Sequence, residues 1–218
     1  SHQEVPLYEV DAHNCIPVWE LSPKQEFAAR TIRSKVHAKL PSFIEDHKQI
    51  TFHESNGNLL DDMPLINWEE VTSKIICNES VSGTGVFTPG SQAGMKVLHT
   101  FLEKKLTTYD TDRNNFDIDG QSNLSPYISH GNISRRRIMM ELQKTTGADL
   151  TVAFDPIQNG SNGKLGSIAA FIEETVVRAE LCENFCFYNN SYDSYDGFPD
   201  WAKVTLTKAK SDKRSYLY

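Results

Sequence analysis

Long apolar runs, cysteine clusters and metal-ligand spacings are missing from this sequence. No stretch approaches the roughly 18 consecutive apolar residues that a membrane-spanning helix needs. There are four cysteines, without a CxxC pair and without the neighbouring histidines of a zinc site. The seven histidines are scattered, and no HxxxH spacing or triad-like grouping occurs. The sequence therefore predicts reduced thiols and no membrane helix, metal site or hydrolase triad.

The sequence also has fewer basic than acidic residues. The 218 residues include 22 Lys and Arg against 29 Asp and Glu, a formal net charge of −7. A sequence-independent phosphate binder is usually basic, so any contact with nucleic acid must be local. The first residues show no basic-then-apolar leader, so no secretory or transit segment is visible. The few cysteines, without CxxC spacing, favour reduced thiols in an intracellular protein, nuclear or cytoplasmic. Nothing in the sequence argues for an oligomer, and we expect a monomer.

Hydrophobic periodicity predicts a mainly helical chain. Residues 5–19 do not show this helical periodicity. They are apolar and β-branched, which is typical of one buried strand followed by an exit loop. Segments rich in Asn, Gly and Ser predict a connector at 47–88 and a linker at 155–164. The predicted helices are 23–40, with Ser22 as a possible cap and Pro41 as a stop, a short piece at 68–76, and 93–106, 134–144 and 167–187.

The last predicted helix carries an acid and a base on an apolar face. At about 100° per residue, five side chains fall within roughly 80° of arc: Phe171, Glu174, Arg178, Leu181 and Phe185. The opposite, solvated face is predicted to hold Glu173, Glu180 and Glu183. Glu174 and Arg178 could form an ordinary helix ion pair, worth roughly 0.2–0.5 kcal/mol. Alternatively, a carboxylate in an apolar wall accepts hydrogen bonds from a ligand; periodicity alone leaves both open.

Two further motifs could contact phosphate groups. The run 121–126 (QSNLSP) places small hydrogen-bonding side chains before a helical turn, where hydroxyls and backbone amides can hold phosphate oxygens. The alternative for this run is a plain capping turn. Arg135, Arg136 and Arg137 spread around the start of a helix. One or two of them could reach a phosphate backbone, and the alternative is a solvated face.

Five blocks cover most of the chain: VDAHNCIPVW (10–19), KQEFAARTIRSKVHAKLP (24–41), FTPGSQAGMKVLHTFLEKKL (87–106), SNLSPYISHGNISRRR (122–137) and residues 171–218. Together they resemble the DNA photolyase and cryptochrome family, and within it the class II cyclobutane pyrimidine dimer photolyases. The last block is the most specific, because it combines EExVVRxELxxNFCxY with YDSxxGxPDWA and DKRxYLY. The connector at 47–86 and the linker at 145–166 lie outside the resemblance.

The resemblance implies a mainly α fold with three parts. Residues 1–46 would be a remnant of the N-terminal Rossmann-like α/β antenna domain, with its last strand around 5–12 and an exit helix. Residues 47–88 would form the interdomain connector. Residues 89–218 would form the first half of the helical FAD-binding domain.

The function implied by the resemblance is light-driven repair of cyclobutane pyrimidine dimers in UV-damaged DNA. Reduced FAD would donate an electron to a flipped-out dimer, and the protein would supply position and electrostatics. The chain would act as a carbon–carbon lyase only as part of a longer protein, and we expect it to be inactive alone. The alternatives are a cryptochrome-like photoreceptor and a truncated, flavin-free homologue that binds DNA or a protein.

The resemblance also assigns site residues. Glu174 matches the catalytic glutamate that hydrogen-bonds the dimer bases. Arg113 and Asn114 match positions near the lesion, and Arg135 is the third predicted DNA contact. The positions predicted to hold FAD are Tyr109, Gln121, Ser122, Asn123, Leu124, Ser125, Phe171 and Arg178.

Overall fold

The computed structural model describes residues 6–44, 65–76, 80, 83, 85–148, 150 and 164–215. None of these residues lies in a strand, and the mainly helical class is confirmed. The helices are α1 (Val18–Leu21), α2 (Ala29–Phe43), α3 (Trp68–Ser73), α4 (Ser91–Lys104), α5 (Tyr109–Asp112), α6 (Ser125–Ser129), α7 (Arg135–Thr146), α8 (Lys164–Ile172), α9 (Arg178–Tyr188) and α10 (Asp200–Ala209). A π-helical turn, Glu173–Val177, joins α8 to α9, and 3-10 turns occupy Leu106–Thr108 and Tyr195–Gly197.

Contacts divide the chain into two units. The smaller unit is Asp46–Pro89, and the larger combines Ser1–Glu45 with Gly90–Tyr218. In the smaller unit, α3 coincides with the short helix predicted around 68–76. The Asn67 side chain caps it by accepting hydrogen bonds from two backbone amides of the first turn. Most of the predicted connector and linker lies outside the described residues.

The core of the larger unit is built from helices that the periodicity predicted. Helix α4 buries Leu98 and Phe101, and α7 buries Ile138 and Leu142. Each such side chain contributes roughly 1.5–3 kcal/mol to the free energy of folding. The Ser134 hydroxyl caps α7 by accepting from a backbone amide 3.1 Å away. The helices predicted at 93–106 and 134–144 are thus confirmed to within a turn.

Helix α2 begins later and ends later than predicted. It starts at Ala29, six residues after the predicted start, because the backbone before it is tied to α9: the Glu26 amide donates to Asn184 at 2.7 Å. It continues past Pro41 to Phe43, so the predicted stop is wrong. Near the end of a helix a proline removes a single backbone hydrogen bond, and the last turn tolerates that loss.

The strand predicted around 5–12 is not confirmed. Residues 6–12 have no regular secondary structure, and Leu7 and Val10 are 98% and 76% exposed. A strand requires a neighbour with which to share a hydrogen-bonded ladder, and no such neighbour occurs among the described residues. The chain becomes buried only from Cys15 onward, where it packs on α9.

One face of α9 holds this N-terminal segment by its backbone. Three side chains spaced four residues apart form a polar column, defined here as Glu180, Asn184 and Tyr188. Glu180 accepts a hydrogen bond from the Cys15 amide at 2.7 Å. Asn184 accepts from the Glu26 amide at 2.7 Å and donates to the Lys24 carbonyl at 3.1 Å. The Tyr188 hydroxyl donates to the Ser22 carbonyl at 2.6 Å. Glu180 is 1% exposed, so its predicted place on the solvated face is wrong.

Candidate functional site

A cavity of about 490 Å³ opens between α5, α6, the start of α7 and the π-helical turn. Nine of the twelve predicted site residues line it: Tyr109, Arg113, Asn114, Gln121, Ser122, Leu124, Ser125, Arg135 and Glu174. These residues come from positions between 109 and 174 of the chain. Tertiary folding therefore gathers most of the predicted site around one space, whose volume lies within the usual range for ligand pockets.

Three predicted residues lie outside the cavity lining. Phe171 is 1% exposed and packs beneath Tyr109. Asn123 is exposed and has a positive φ of 58°, a left-handed conformation that asparagine tolerates better than most residues. It shapes the turn that presents the hydroxyl of Ser122 on one side and buries Leu124 on the other. Arg178 points to Glu173 at 3.2 Å.

Four other residues of the lining were missed: Ile128, Ser129, Thr175 and Ala179. Ile128 and Ser129 lie three and four residues after Ser125 on α6, where helical spacing returns to the same face. That signal was present in the sequence. Ala179 lies five residues after Glu174, a spacing that points to the same side only in a π-helix.

The floor of the cavity rests on an aromatic cluster of Phe101, Tyr109 and Phe171. The Phe101 ring lies 5.3 Å from Tyr109 and 4.7 Å from Phe171, and the Tyr109 and Phe171 rings meet edge to face at 5.7 Å. Such pairs add roughly 0.5–1.5 kcal/mol each beyond their buried area. Burial raises the pKa of the Tyr109 phenol. The positive charge of Arg113 lowers this pKa and the negative charge of Glu174 raises it, and the net shift is upward. Tyr109 therefore stays neutral where it lines the cavity.

An ion pair between Arg113 and Glu174 crosses one wall. Arg113 Nη1 lies 2.5 Å from Glu174 Oε1, and the guanidinium carbon lies 5.9 Å from the centre of the Tyr109 ring. The Glu174 side chain is 41% exposed, so solvent screens the pair and its contribution to stability is small. The carboxylate remains open to a ligand.

The loop between Arg113 and Ser122 is fixed by close backbone contacts. The Gln121 side-chain amide donates to the Arg113 carbonyl, and Lys105 pairs with Asp119 at 2.6 Å. A Cβ atom on Gly120 would lie 2.6 Å from the backbone carbonyl of Asp112, closer than side chains approach. Glycine is therefore required at position 120, and the loop holds Arg113 and Gln121 on the same side of the cavity.

The π-helical turn explains why the face predicted at 100° per residue is wrong in part. A π turn contains one more residue than an α turn, so side chains on its two sides are out of phase with α spacing. Glu173, predicted to be solvated, is 9% exposed and accepts two hydrogen bonds from Arg33 at 2.8 and 2.9 Å. Glu174 faces the cavity, but Arg178 does not join it there.

The charges of the lining suit an anionic ligand. Arg113, Arg135 and Glu174 are the charged side chains among the described residues around the cavity, which leaves a net positive charge in an acidic chain. Hydroxyls and amides of Ser122, Ser125 and their neighbours add uncharged hydrogen-bonding groups. Arginines with hydroxyl donors are the groups that bind phosphate oxygens.

Within the described ranges, no helix is both long and apolar enough to cross a bilayer. Within the same part of the chain, no three His, Cys, Asp or Glu side chains come together as ligands for a metal ion.

No family model matches the sequence. Several curated proteins that share one name are nevertheless similar to nearly the whole chain. The chain is similar to proteins named deoxyribodipyrimidine photo-lyase from Potorous tridactylus (36% identity over 99% of the chain), Arabidopsis thaliana (34% over 100%) and Oryza sativa subsp. japonica (33% over 98%). These matches cover 37%, 42% and 40% of the respective relatives. The chain therefore spans about two fifths of the length of the curated relatives it matches.

Proposed function

Since this chain is a photolyase homologue that spans about two fifths of its relatives' length, we propose that it forms part of the flavin- and DNA-binding region of a light-driven DNA repair lyase. The proposed substrate is UV-damaged DNA that contains cyclobutane pyrimidine dimers, and the resemblance of the sequence blocks to class II enzymes supports that class. A DNA substrate implies an intracellular location, nuclear or cytoplasmic. The single observation that carries the proposal is the convergence of nine predicted site residues on one cavity.

The cofactor proposed for the cavity is FAD. Its diphosphate fits the hydroxyls of Ser122 and Ser125 and the side-chain amide of Gln121, which line one side together. Ser129, on the next turn of α6, adds a fourth donor at the same edge. Tyr109 and Leu124 supply the apolar surface on which a ring can rest. When bound, reduced FAD supplies the electron that splits the dimer.

Glu174 is the proposed catalytic residue. Its carboxylate faces the cavity and is partly exposed, so it can accept hydrogen bonds from the bases of a flipped-out dimer. Arg113 lies against it at 2.5 Å. Because an electron adds negative charge to the pyrimidines, the Arg113 guanidinium that pairs with Glu174 would offset the repulsion between this carboxylate and the charged dimer.

DNA contact is assigned to Arg113, Asn114 and Arg135. All three line the cavity, and Arg135 also lies 3.4 Å from His13 Nε2 in the N-terminal segment. The two arginines supply the local positive charge that a chain of net charge −7 needs to meet a phosphate backbone, and Asn114 adds a neutral hydrogen-bonding group. In the same proposal, residues 1–46 are a remnant of an α/β domain, residues 47–88 are a connector, and residues 89–218 form the first half of the flavin domain.

The test is a titration of the 218-residue chain with FAD, followed by quenching of flavin fluorescence. We expect saturable quenching that the double variant Ser122→Ala, Ser125→Ala weakens, because it removes two hydroxyl donors. A matched control, Ser34→Ala with Ser211→Ala, changes two exposed serines outside the cavity and should bind as the original chain does. A folded chain that does not quench flavin fluorescence would contradict the assignment.

A further inference from the structure

The π-helical turn lies between two helices whose rotation is fixed by other parts of the fold. On its N-terminal side, the buried Ser167 hydroxyl bonds to the Thr107 carbonyl at 3.0 Å and to Asp110 at 2.8 Å, and Phe171 packs on Phe101. These contacts fix α8. On its C-terminal side, the polar column of Glu180, Asn184 and Tyr188 fixes α9 against residues 15–26. These contacts set the direction of α8 and α9, but none of them is made by a residue of the turn itself.

Glu173 lies inside this turn and is held on two sides. Arg33 of α2 donates to both carboxylate oxygens, from Nε at 2.8 Å and from Nη2 at 2.9 Å. Arg178 Nε approaches the same carboxylate at 3.2 Å. Arg178 is five residues after Glu173, and its amide also donates to the Glu173 carbonyl, which is the hydrogen bond that defines a π turn.

The pair of Arg33 and Glu173 is a strong interaction by its geometry. Two parallel bonds between a guanidinium and a carboxylate fix the relative orientation of the groups as well as their distance. The Glu173 side chain is 11% exposed, so water competes little for it. Burial opposes ionisation of Glu173, but the bonds from Arg33 and the charges of Arg33, Arg178 and His37 outweigh it and lower the pKa.

The residue after Glu173 is Glu174, and the turn determines which residues accompany it at the cavity. With π spacing, Glu174, Thr175 and Ala179 line the cavity, while Val176 and Val177 are buried in the core. An α-helical path through the same residues would advance the side chains by a different angle. Ala179, five residues after Glu174, would then no longer share the cavity wall with the proposed catalytic carboxylate.

We propose that Arg33 and Glu173 are positioning residues, whose two-bond ion pair holds the π turn and thereby presents Glu174 and Ala179 to the cavity. Neither residue lines the cavity, so they act through the turn. The inference rests on the proposed function only for the identity of the ligand. The register of the turn is a property of the chain itself.

The test compares Arg33→Gln with Arg30→Gln, a matched change at an exposed arginine three residues earlier on α2. Hydrogen–deuterium exchange of peptides covering 173–179 is measured without flavin, and FAD affinity is measured by fluorescence quenching. In Arg33→Gln we expect faster exchange over 173–179. We also expect FAD affinity weakened about tenfold, because the cavity wall that Thr175 and Ala179 form would be displaced. Arg30→Gln should match the original chain in both.

Arg33→Lys keeps the charge and loses the second bond. Its exchange rate over 173–179 should lie between those of the original chain and Arg33→Gln. If Arg33→Gln does not fold, Arg33→Lys serves as the test of whether the ion pair holds the π turn. Unchanged exchange over 173–179 in a folded Arg33 variant would overturn the inference, as would faster exchange with unaltered FAD affinity. If the original chain itself does not bind FAD, the proposed function fails, and the exchange measurement alone decides the role of Arg33 and Glu173 in holding the turn.

Discussion

Glu180 Oε1 accepts the backbone amide of Cys15 at 2.7 Å, across 165 residues of sequence. The adjacent amide of Ile16 lies 3.4 Å from the same oxygen. The second oxygen, Oε2, is buried without a hydrogen-bond partner among the described residues. This single carboxyl group therefore joins the N-terminal segment to the helix that continues from the cavity wall, and it does so in an environment that disfavours its charge.

We expect Glu180 to make stability depend on pH. The pKa of Glu180 is raised from 4.5 to about 7, and the main cause is burial of the carboxyl group. The hydrogen bonds from the amides of Cys15 and Ile16 act in the opposite direction and lower the pKa, but burial outweighs them. The folded chain therefore keeps a proton on Glu180 that the unfolded chain loses near pH 4.5. The contribution of this protonation to the free energy of unfolding is complete below pH 4.5 and is lost as the pH rises through 7. Its full size is on the order of 3 kcal/mol.

The measurement is urea unfolding of the original chain and Glu180→Gln at pH 4.5 and pH 8. Glutamine keeps the acceptor oxygen and cannot ionise, so its stability relative to the original chain should rise between the two pH values. Glu20→Gln, at an exposed position, serves as the control. A difference that does not change with pH would show that Glu180 does not titrate in this range.

The rest of the polar column should contribute to stability in proportion to the bonds lost. Tyr188→Phe removes one hydrogen bond to the Ser22 carbonyl and should cost about 1 kcal/mol of unfolding free energy. Asn184→Ala removes two and leaves the Glu26 amide without its partner, so about 2 kcal/mol is expected. Asn190→Ala, at an exposed position beyond α9, is the control and should have little effect in the same urea titration.

Gly120→Ala should disturb the cavity loop. Its Cβ would lie 2.6 Å from the Asp112 carbonyl, so the backbone must move, at a cost of about 1–3 kcal/mol. Because the loop holds Arg113 and Gln121, FAD binding should weaken as well. Gly83→Ala has no atom within 4 Å of the added Cβ and should leave thermal stability and quenching unchanged. Equal behaviour of the two variants would mean that the loop adapts freely.

The 218-residue chain should not cleave pyrimidine dimers by itself. The Glu174 side chain is 41% exposed, so water reaches the group that must hold the lesion, and charge stabilisation is weak in a wet site. The measurement is illumination of the chain with reduced FAD and a dimer-containing oligonucleotide, followed by analysis of the strands. Measurable cleavage would contradict this expectation and would also separate repair from a photoreceptor role.

Short-range patterns were sufficient to predict several parts of the fold. Apolar spacing predicted α4 and α7, and the run from Gln121 to Ser125 pointed to one side of the cavity. The motif resemblance selected residues that the structure brings together, such as Arg113 and Glu174. The two helices follow from apolar neighbours three or four positions apart, which a sequence displays directly. Arg113 and Glu174 lie 61 positions apart and were selected only by their match to the family motif.

The tertiary structure alone decided the face of the longest helix. A rule of 100° per residue assumes that the helix is α throughout, and it assigned Glu173 and Glu180 to solvent. Both are buried, because Arg33 binds the first and the Cys15 amide binds the second, and these partners lie more than a hundred residues away. Two helices fixed by distant contacts leave an extra residue between them, which the backbone absorbs as a π turn. Local periodicity carries no information about such contacts.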